Sequence, residues 1–408
     1  MPDISVLEVL LYGEPIGTLT FLQGDRTLLA FNESYIGNSD RPTLSLSFKD
    51  SLGNLITDMP PTRTRVPTFF ANMLPEGEMR DYLAKRAGVN PKREFFLLWI
   101  LGKDLPGAVT VRPADGEAWP PDSDGAESGA AEDAQQRRTN ALRFSLAGIQ
   151  LKFSAVKNAT GGLTIPAEGV GGSWIVKLPS TKYDDVLENE FSMMTIAGMI
   201  GMNVPEIQLI DPKSIAGLPG GIGALKGSAL AVKRFDRTAD GPVHIEDFAQ
   251  VFELYPDDKY GKASYRNIAE VIAAETGNDG VAEFVRRLVF NTLIGNADMH
   301  AKNWSLIYPD RRRAAVAPAY DFVSTVHYIP DDNAALSFGR TKRMDEFSRD
   351  ELAYLAGKAR LPEKLVLDAA SETAARFHDV WRAEKKNLPL SRSLIETIEK
   401  HIRKVPIK

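Results

Sequence analysis

The sequence contains no cysteine, which excludes disulfides, thiolate metal centres and cysteine nucleophiles and fits a reducing cytoplasm. Histidine is scarce: His244, His300, His327, His378 and His401 are the full set, and none stands at metal-ligand spacing, so no zinc motif can be assembled from them. No apolar run approaches the roughly 20 residues that span a bilayer. The start MPDISVLEVLLYGEPIG carries no basic segment ahead of its apolar stretch, unlike a secretory signal. A basic excess is missing too: the net charge is −5, where a dedicated nucleic-acid binder would carry a strong positive balance. What is present, 43% hydrophobic and 25% charged residues in 408, is the composition of a soluble cytoplasmic protein of two or three domains with no membrane association.

Residues 4 to 60 alternate at period two, through Val6, Glu8 and Leu10 and again Gly17, Leu19 and Phe21, with turn residues Gly13-Glu14-Pro15 between, which predicts a β-rich start. From Pro67 the period becomes helical, through Phe69, Phe70, Met73, Leu74, Met79, Tyr82 and Leu83, then Phe95 to Ile100, and a first unit ends near Val111. Residues 112–140 are rich in Pro, Gly, Ser and Asp and poor in large apolar side chains, so they read as a flexible acidic linker. A second β-rich block follows over 141–237, with strands expected at 150–156, 162–166, 173–178, 206–210 and 228–234 and a helix from Asp185 to Met199. From 238 to 408 the pattern is mainly helical, apart from a hairpin at 304–317. The class is α+β, a small β-rich lobe ahead of a larger helical one.

The most informative stretch is Phe290-Asn-Thr-Leu-Ile-Gly-Asn-Ala-Asp298-Met-His300-Ala-Lys302-Asn303. An apolar helical run stops at Gly295 and a polar loop follows. Asp298 and Asn303 stand five residues apart, the spacing of the kinase catalytic loop, in which the Asp receives the acceptor's proton and the Asn holds a magnesium. Alone, the pair reads equally as an Asx-rich helix cap. Downstream, Tyr320-Asp321-Phe322-Val323 follows the hairpin with its Arg311-Arg312-Arg313 turn and looks like the metal-binding D-F-G segment, with Val for the glycine. Upstream, Ser173-Trp-Ile-Val-Lys177-Leu178 is an alternating strand whose lysine is either the end of a solvated face or a phosphate clamp. On the next helix, at about 100° per residue, Leu187, Phe191, Met194 and Gly198 share a face, Glu190 sits at its rim where it can pair with Lys177, and Glu188 and Asn189 point away. An ordinary surface carboxylate is the competing reading of Glu190. Arg143-Phe-Ser145-Leu-Ala147-Gly148-Ile149-Gln150-Leu151-Lys152 offers a turn with a hydroxyl and a lysine. The strand Ala229 to Lys233, followed by Arg234, Phe235, Asp236 and Arg237, falls where a linker between lobes exposes backbone to an adenine edge.

Taken in order, these motifs resemble the HipA family, kinase toxins of a bacterial toxin–antitoxin system, over nearly the whole chain. The matches are Ser145 to Lys152, Ile175-Val-Lys177-Leu-Pro, Glu188-Asn-Glu190, Lys233-Arg-Phe-Asp-Arg237, Leu293 to Asn303 and Pro318-Ala-Tyr-Asp321, with Asn72-Met-Leu-Pro-Glu-Gly and Gly107-Ala-Val-Thr-Val in the first unit. The resemblance implies a two-lobed protein-kinase-like fold with an N-terminal coupling subdomain at 1–111. It implies ATP and Mg²⁺ as cofactors, with Ala147, Gly148, Ile149, Gln150, Leu151 and Lys152 lining the phosphates and Lys177 touching them. Lys233, Arg234 and Phe235 would present backbone to adenine, and His300, Ala301, Lys302, Asn303, Tyr320 and Asp321 would complete the site.

In the same reading Asp298 is the catalytic base supported by Lys177 and Glu190, Asn303 and Asp321 are the metal ligands, and Ser145 is the autophosphorylated serine. The implied partners are a HipB-type helix-turn-helix antitoxin, operator DNA through that antitoxin, and an aminoacyl-tRNA synthetase as target. Two positions depart from the family: Lys233 stands where the best-studied members carry an acidic residue, and Leu151 replaces a polar residue or proline. A small-molecule phosphotransferase and a corepressor subunit remain open alternatives. For the latter, Lys358 and Arg360, beyond the capping-box-like Ser348-Arg-Asp-Glu351, are candidate phosphate contacts.

Overall fold

The computed structural model describes residues 5–114, 152–157, 162–165, 171–179, 182–218, 226–329 and 333–407. Residues 115–140 of the expected linker and the Ser145–Leu151 loop lie outside them.

The chain starts with strands β1 (Ser5–Leu11), β2 (Glu14–Leu22) and β3 (Arg26–Phe31), whose tight turns carry Gly13 and Gly24 at φ of 81° and 75°. With β4 (Thr62–Arg63) and β5 (Val109–Pro113) they form an antiparallel sheet of order β4-β3-β2-β1-β5. The register buries Leu7, Val9 and Leu11, while Val6 and Glu8 occupy the half-buried face. Helices α1 (Glu33–Gly37), α2 (Thr68–Ala71), α3 (Gly77–Ala87) and α4 (Glu94–Leu101) complete this unit. Every residue of α4, EFFLLWIL, is buried, as expected for a helix apolar all round.

A second antiparallel sheet follows, β6 (Lys152–Lys157), β7 (Leu163–Thr164), β8 (Trp174–Lys177), β9 (Ile207–Ile210) and β10 (Ala229–Lys233), ordered β7-β6-β8-β10-β9. Helix α5 (Val186–Met199) crosses between β8 and β9. Phe153, Trp174, Val176 and Ala229 share one apolar core with Leu7, Phe69 and Leu98 of the first unit. Burial of that shared core fixes the two β units against each other.

The hairpin β11 (Arg237–Thr238) and β12 (Gly241–Pro242) leads to β13 (His244–Asp247), which pairs with β14 (Ser305–Tyr308), itself paired with β15 (Ala315–Val316). The expected hairpin at 304–317 therefore gains a third strand, in a segment expected to begin the helical part. Helix α6 (Phe248–Val251) starts on a capping box between Asp247 and Gln250. Helix α7 (Tyr265–Ile294), capped by Ser264 and Asn267, breaks at Gly277 (φ 67°) and ends at Gly295 (φ 69°). A Cβ on Gly295 would stand 2.7 Å from Val326, so glycine both ends the helix and lets the next segment approach. Helices α8 (Arg349–Lys358), α9 (Glu363–Glu384) and α10 (Arg392–Lys404) finish the second core. The result is a mixed, two-lobed α+β molecule. Among the described residues no helix is long and apolar enough to cross a membrane.

Candidate functional site

The two lobes and the edge of the N-terminal unit enclose a cavity of about 740 Å³, within the usual size range of small-molecule sites. Its roof comes from the second sheet. Antiparallel pairing sets Lys152 of β6 opposite Lys177 of β8, and both side chains reach the cavity. Lys177 is buried, and its Nζ donates to Glu190 Oε1 at 2.5 Å and to Asp321 Oδ1. The three ionise as a set. Burial opposes the Lys177 ammonium, but Asp321 and Glu190 outweigh it and hold its pKa up. Burial likewise opposes the Asp321 carboxylate, yet Lys177 and Lys152 keep its pKa well below the usual range. For Glu190 burial prevails over Lys177 and its pKa rises. Lys152, half-buried beside a second ammonium, has a pKa lowered by desolvation first and by Lys177 as well.

Asp321 adopts φ of 57°, a left-handed conformation that is uncommon for a non-glycine residue and is often found at functional sites. Its carbonyl accepts from Asn296 Nδ2 at 3.4 Å. The following segment is clamped to α5 by Asn189, whose amide donates to Ser324 O (2.9 Å) and accepts from Ser324 N (3.1 Å). This corrects the helical-face reading: Asn189 is fully buried, and Glu188 accepts from the Ser228 amide at 3.0 Å. Both polar residues bond to backbone, which makes burial on these faces tolerable.

The floor is the loop after α7. Asp298 N donates to Asn296 Oδ1 (3.0 Å), Ala297 N to Thr325 Oγ1 (2.7 Å), and Asn303 Nδ2 to Asp298 O (2.9 Å). These bonds leave the Asp298 carboxylate open, with 54% of its side chain exposed. Its Oδ1 accepts from the hydroxyl of Tyr260, and burial by the cavity wall still raises its pKa. His300 packs edge-on against Tyr260; burial and the cations Lys259 and Lys302 push its pKa down to about 3, so it is neutral. Asn303 keeps its amide oxygen and Asp321 its Oδ2 free of the bonds just described. Two hard oxygen donors on one cavity suit Mg²⁺.

The N-terminal unit supplies a wall that sequence reasoning had not assigned to the site. Glu76 takes Lys259 Nζ on one oxygen (2.7 Å) and Lys302 Nζ on the other (2.6 Å), and Asn72 O accepts from Lys302 at 3.1 Å. Burial works against ionisation of Glu76, but Lys302 and Lys259 outweigh it and hold its carboxyl at about 2. The Lys302 side chain is thus held by the first unit at the cavity wall. The Arg234 side chain is likewise engaged within the protein. Its guanidinium is buried against Asp236 (2.9 Å) and Asp104 (2.9 Å), tying the second sheet to the first unit, as does Arg237. The Lys233 side chain is half exposed beside Glu206. The amides of Lys233 and Arg234 donate to Glu206 O and Ser173 O (both 2.8 Å), which fixes this segment's backbone at the cavity wall. Tyr320 donates to Lys302 O at 2.9 Å, and its ring stands 5.9 Å from that of Phe235. Ala301 is buried under the loop.

So Lys152, Lys177, Glu190, Lys233 to Phe235, Asp298, His300, Lys302, Asn303, Tyr320 and Asp321 line one cavity. Glu76 and Tyr260 are additions to that lining, and Asn189 anchors the segment after Asp321 from behind it. The motif Asn72-Met-Leu-Pro-Glu76 was visible in sequence, but its partners lie 226 and 183 residues away.

Comparison with known proteins follows the same outline. Residues 7–112 match the family model of the HipA N-terminal domain and residues 144–381 that of the HipA-like C-terminal domain. A Sinorhizobium fredii protein named "Putative kinase Y4dM" is 62% identical over 98% of this chain and 97% of its own length. The serine/threonine-protein kinase toxin HipA of Shewanella oneidensis is 28% identical over 78% of this chain and 76% of its own. Among solved structures, the Shewanella oneidensis HipA, HipB and operator DNA complex superposes with a TM-score of 0.72 at 23% identity, covering 98% of this chain and 95% of that one.

Proposed function

The chain belongs to the HipA family, and from that premise we propose that it is an ATP-dependent protein serine/threonine kinase acting as a HipA-type toxin. One observation carries the reading: a buried lysine joins a helix glutamate to the aspartate that follows the hairpin, above a loop presenting an open carboxylate. That arrangement serves phosphoryl transfer, where little covalent chemistry is asked of the protein and positioning and charge stabilisation supply most of the rate.

In this proposal ATP lies in the cavity with its phosphates toward Lys177 and Lys152 and its adenine toward the backbone of Lys233 to Phe235. The acceptor hydroxyl donates to Asp298. Its oxygen attacks the γ-phosphorus in line, the bond from that phosphorus to the bridging oxygen of ADP breaks, and the proton passes to Asp298. Asn303 and Asp321 would hold Mg²⁺, which neutralises phosphate charge when bound. Glu190 positions Lys177. We assign 1–111 as the coupling subdomain, 112–140 as a linker, 141–237 as the ATP-binding lobe and 238–408 as the catalytic lobe.

The finer reading includes Ala147 to Leu151 as a phosphate loop, self-inactivation by phosphorylation of Ser145, neutralisation by a HipB-type antitoxin on operator DNA, and an aminoacyl-tRNA synthetase as target in the cytoplasm. The solved relative being a complex with HipB and operator DNA supports the antitoxin part. The experiment is phosphosite mapping after controlled expression of wild type and Asp298→Ala. Phosphate at Ser145 and on a target protein in wild type, both lost in the variant while ATP still binds, is the expected outcome. Undiminished autophosphorylation by the variant refutes the assignment.

A further inference from the structure

A second cavity, of about 350 Å³, opens on the other side of the N-terminal unit, where residues 35–55 meet the turn between β14 and β15. That contact is tight: Thr43 N donates to Arg311 O at 2.8 Å and Thr43 Oγ1 to Arg312 O at 2.9 Å. The charge lining the cavity is uneven. Arg41, Lys49, Arg312 and Arg313 contribute to it against Asp310, with Asp40 beside Arg312.

The acids are already committed. Asp310 Oδ1 accepts from the amides of Arg312 (2.9 Å) and Arg313 (2.7 Å) to close the turn, and Asp40 takes Arg312 at 2.5 Å. Among the described residues the two inner cations have no such partner. Arg41 donates only to the carbonyls of Asn38 (3.1 Å) and Ile36 (3.4 Å), and Lys49 Nζ donates to Thr43 Oγ1 at 3.0 Å. Among the described residues no carboxylate lies within 4 Å of either, although both are half-buried. Partly desolvated, unpaired cations are costly, and costlier when they repel one another. Lys49 shows that strain: burial lowers its pKa, with Arg41 and Arg312 adding to the effect against the pull of Glu275 and Glu246.

We infer that this cleft is a binding site for a phosphate dianion, free or at the end of a small phosphate ester, held by Arg41 and Lys49 and closed over by Arg312 and Arg313. Of the four cations, Arg312 and Arg313 sit against Asp40 and Asp310, and Arg41 and Lys49 are the two with no carboxylate within 4 Å among the described residues, Glu275 and Glu246 acting on Lys49 from farther off. Two such positive charges match a phosphate monoester at neutral pH better than a carboxylate or a phosphodiester, each carrying one. Guanidinium forks suit its planar pairs of oxygens. The volume is at the lower end for small-molecule sites and suits a small ligand. The site draws on two parts of the fold, so its occupant would staple the N-terminal unit to the hairpin that leads from Asn303 to Asp321. This inference does not rest on the kinase reading.

The test is calorimetric titration of the full chain with inorganic phosphate, phenyl phosphate and dimethyl phosphate at constant ionic strength, in wild type, Lys177→Met, Arg41→Gln/Lys49→Gln and Arg312→Gln/Arg313→Gln. Phosphate or phenyl phosphate binding should survive Lys177→Met, which disables the main cavity, and vanish in Arg41→Gln/Lys49→Gln. The exposed pair Arg312→Gln/Arg313→Gln, which leaves the inner packing alone, should weaken it about tenfold, and dimethyl phosphate should not bind. The tighter of the two dianions identifies the free ion or the ester as occupant. Equal binding by wild type and both arginine-containing double variants, equal binding of dimethyl phosphate, or loss of all binding in Lys177→Met overturns the inference.

Discussion

At the scale of single residues, the decisive contact is between Tyr260 and Asp298. The phenol hydroxyl donates to the carboxylate oxygen that an acceptor hydroxyl would use in the proposed transfer, and the ring rests edge-on against His300. Tyr260 therefore does two opposing things. It lowers the pKa of a carboxyl that burial has raised, and it occupies the acceptor's place. In the proposed transfer Asp298 works as a carboxylate, so activity should be present above its pKa and lost as pH falls through it. Tyr260→Phe removes a hydrogen bond that favours the charged form, so the acid limb of the kcat/KM profile should move to higher pH while KM for the protein acceptor falls. A pH–rate series on both proteins reads the two effects together. An unmoved acid limb would mean that the hydroxyl contact has no part in the titration of the base.

At the scale of elements, the site depends on α5 and the segment after Asp321 moving as one body. Lys177 joins Glu190 to Asp321, and Asn189, the residue next to Glu190 on the helix, grips both backbone groups of Ser324. Asn189→Ala leaves that buried N–H and C=O without their partner, which should cost about 1–3 kcal/mol in urea unfolding. Rates should fall with it, because Asp321 loses its anchor on α5; a fully stable variant would show that the clamp is not needed. The sequence reading placed α5, β8, β10 and the Asp298–Asn303 loop because apolar period and local spacing mark them. It missed Asn189 for the reason it missed β13. In His244-Ile-Glu246-Asp, the residues facing the core are the polar ones, and hydrophobic period cannot flag a strand whose buried side chains are a histidine and a glutamate. Glu76 and Tyr260 were out of reach on other grounds: their partners come from distant parts of the chain, and only folding brings them together. A motif does not record which way each side chain turns: Lys302 and Arg234 line the cavity, yet their cationic ends are held by Glu76 and by Asp236 and Asp104.

At the scale of the whole molecule, the same polar strand β13 makes the seam between the N-terminal unit and the C-terminal lobe sensitive to pH. His244 is fully buried, its Nε2 donates to Leu44 O at 2.7 Å, and burial lowers its pKa to about 4. Its contribution is complete above the unfolded value near 6.5 and is lost as pH falls toward 4. Glu246, two residues on, behaves in the opposite sense. It accepts from Ser45 Oγ (2.5 Å), Leu46 N (3.0 Å) and Tyr308, yet burial raises its pKa to about 7. Folding favours its protonated form, so stability is complete below the unfolded value of about 4.5 and declines as pH rises through 7, by about 3 kcal/mol. Glutamine preserves the shape and the bonding: its oxygen can accept from Leu46 and Tyr308 while its amide donates to Ser45, whose hydroxyl has acceptor capacity to spare. Glu246→Gln should therefore match wild type at pH 4.5 and exceed it by about 3 kcal/mol at pH 8 in urea unfolding. Its remaining pH dependence should be that of His244, rising between pH 4 and 6.5. Parallel stability curves for the two proteins across that range would show that Glu246 is ionised at the seam without cost, and that its three donors outweigh its burial.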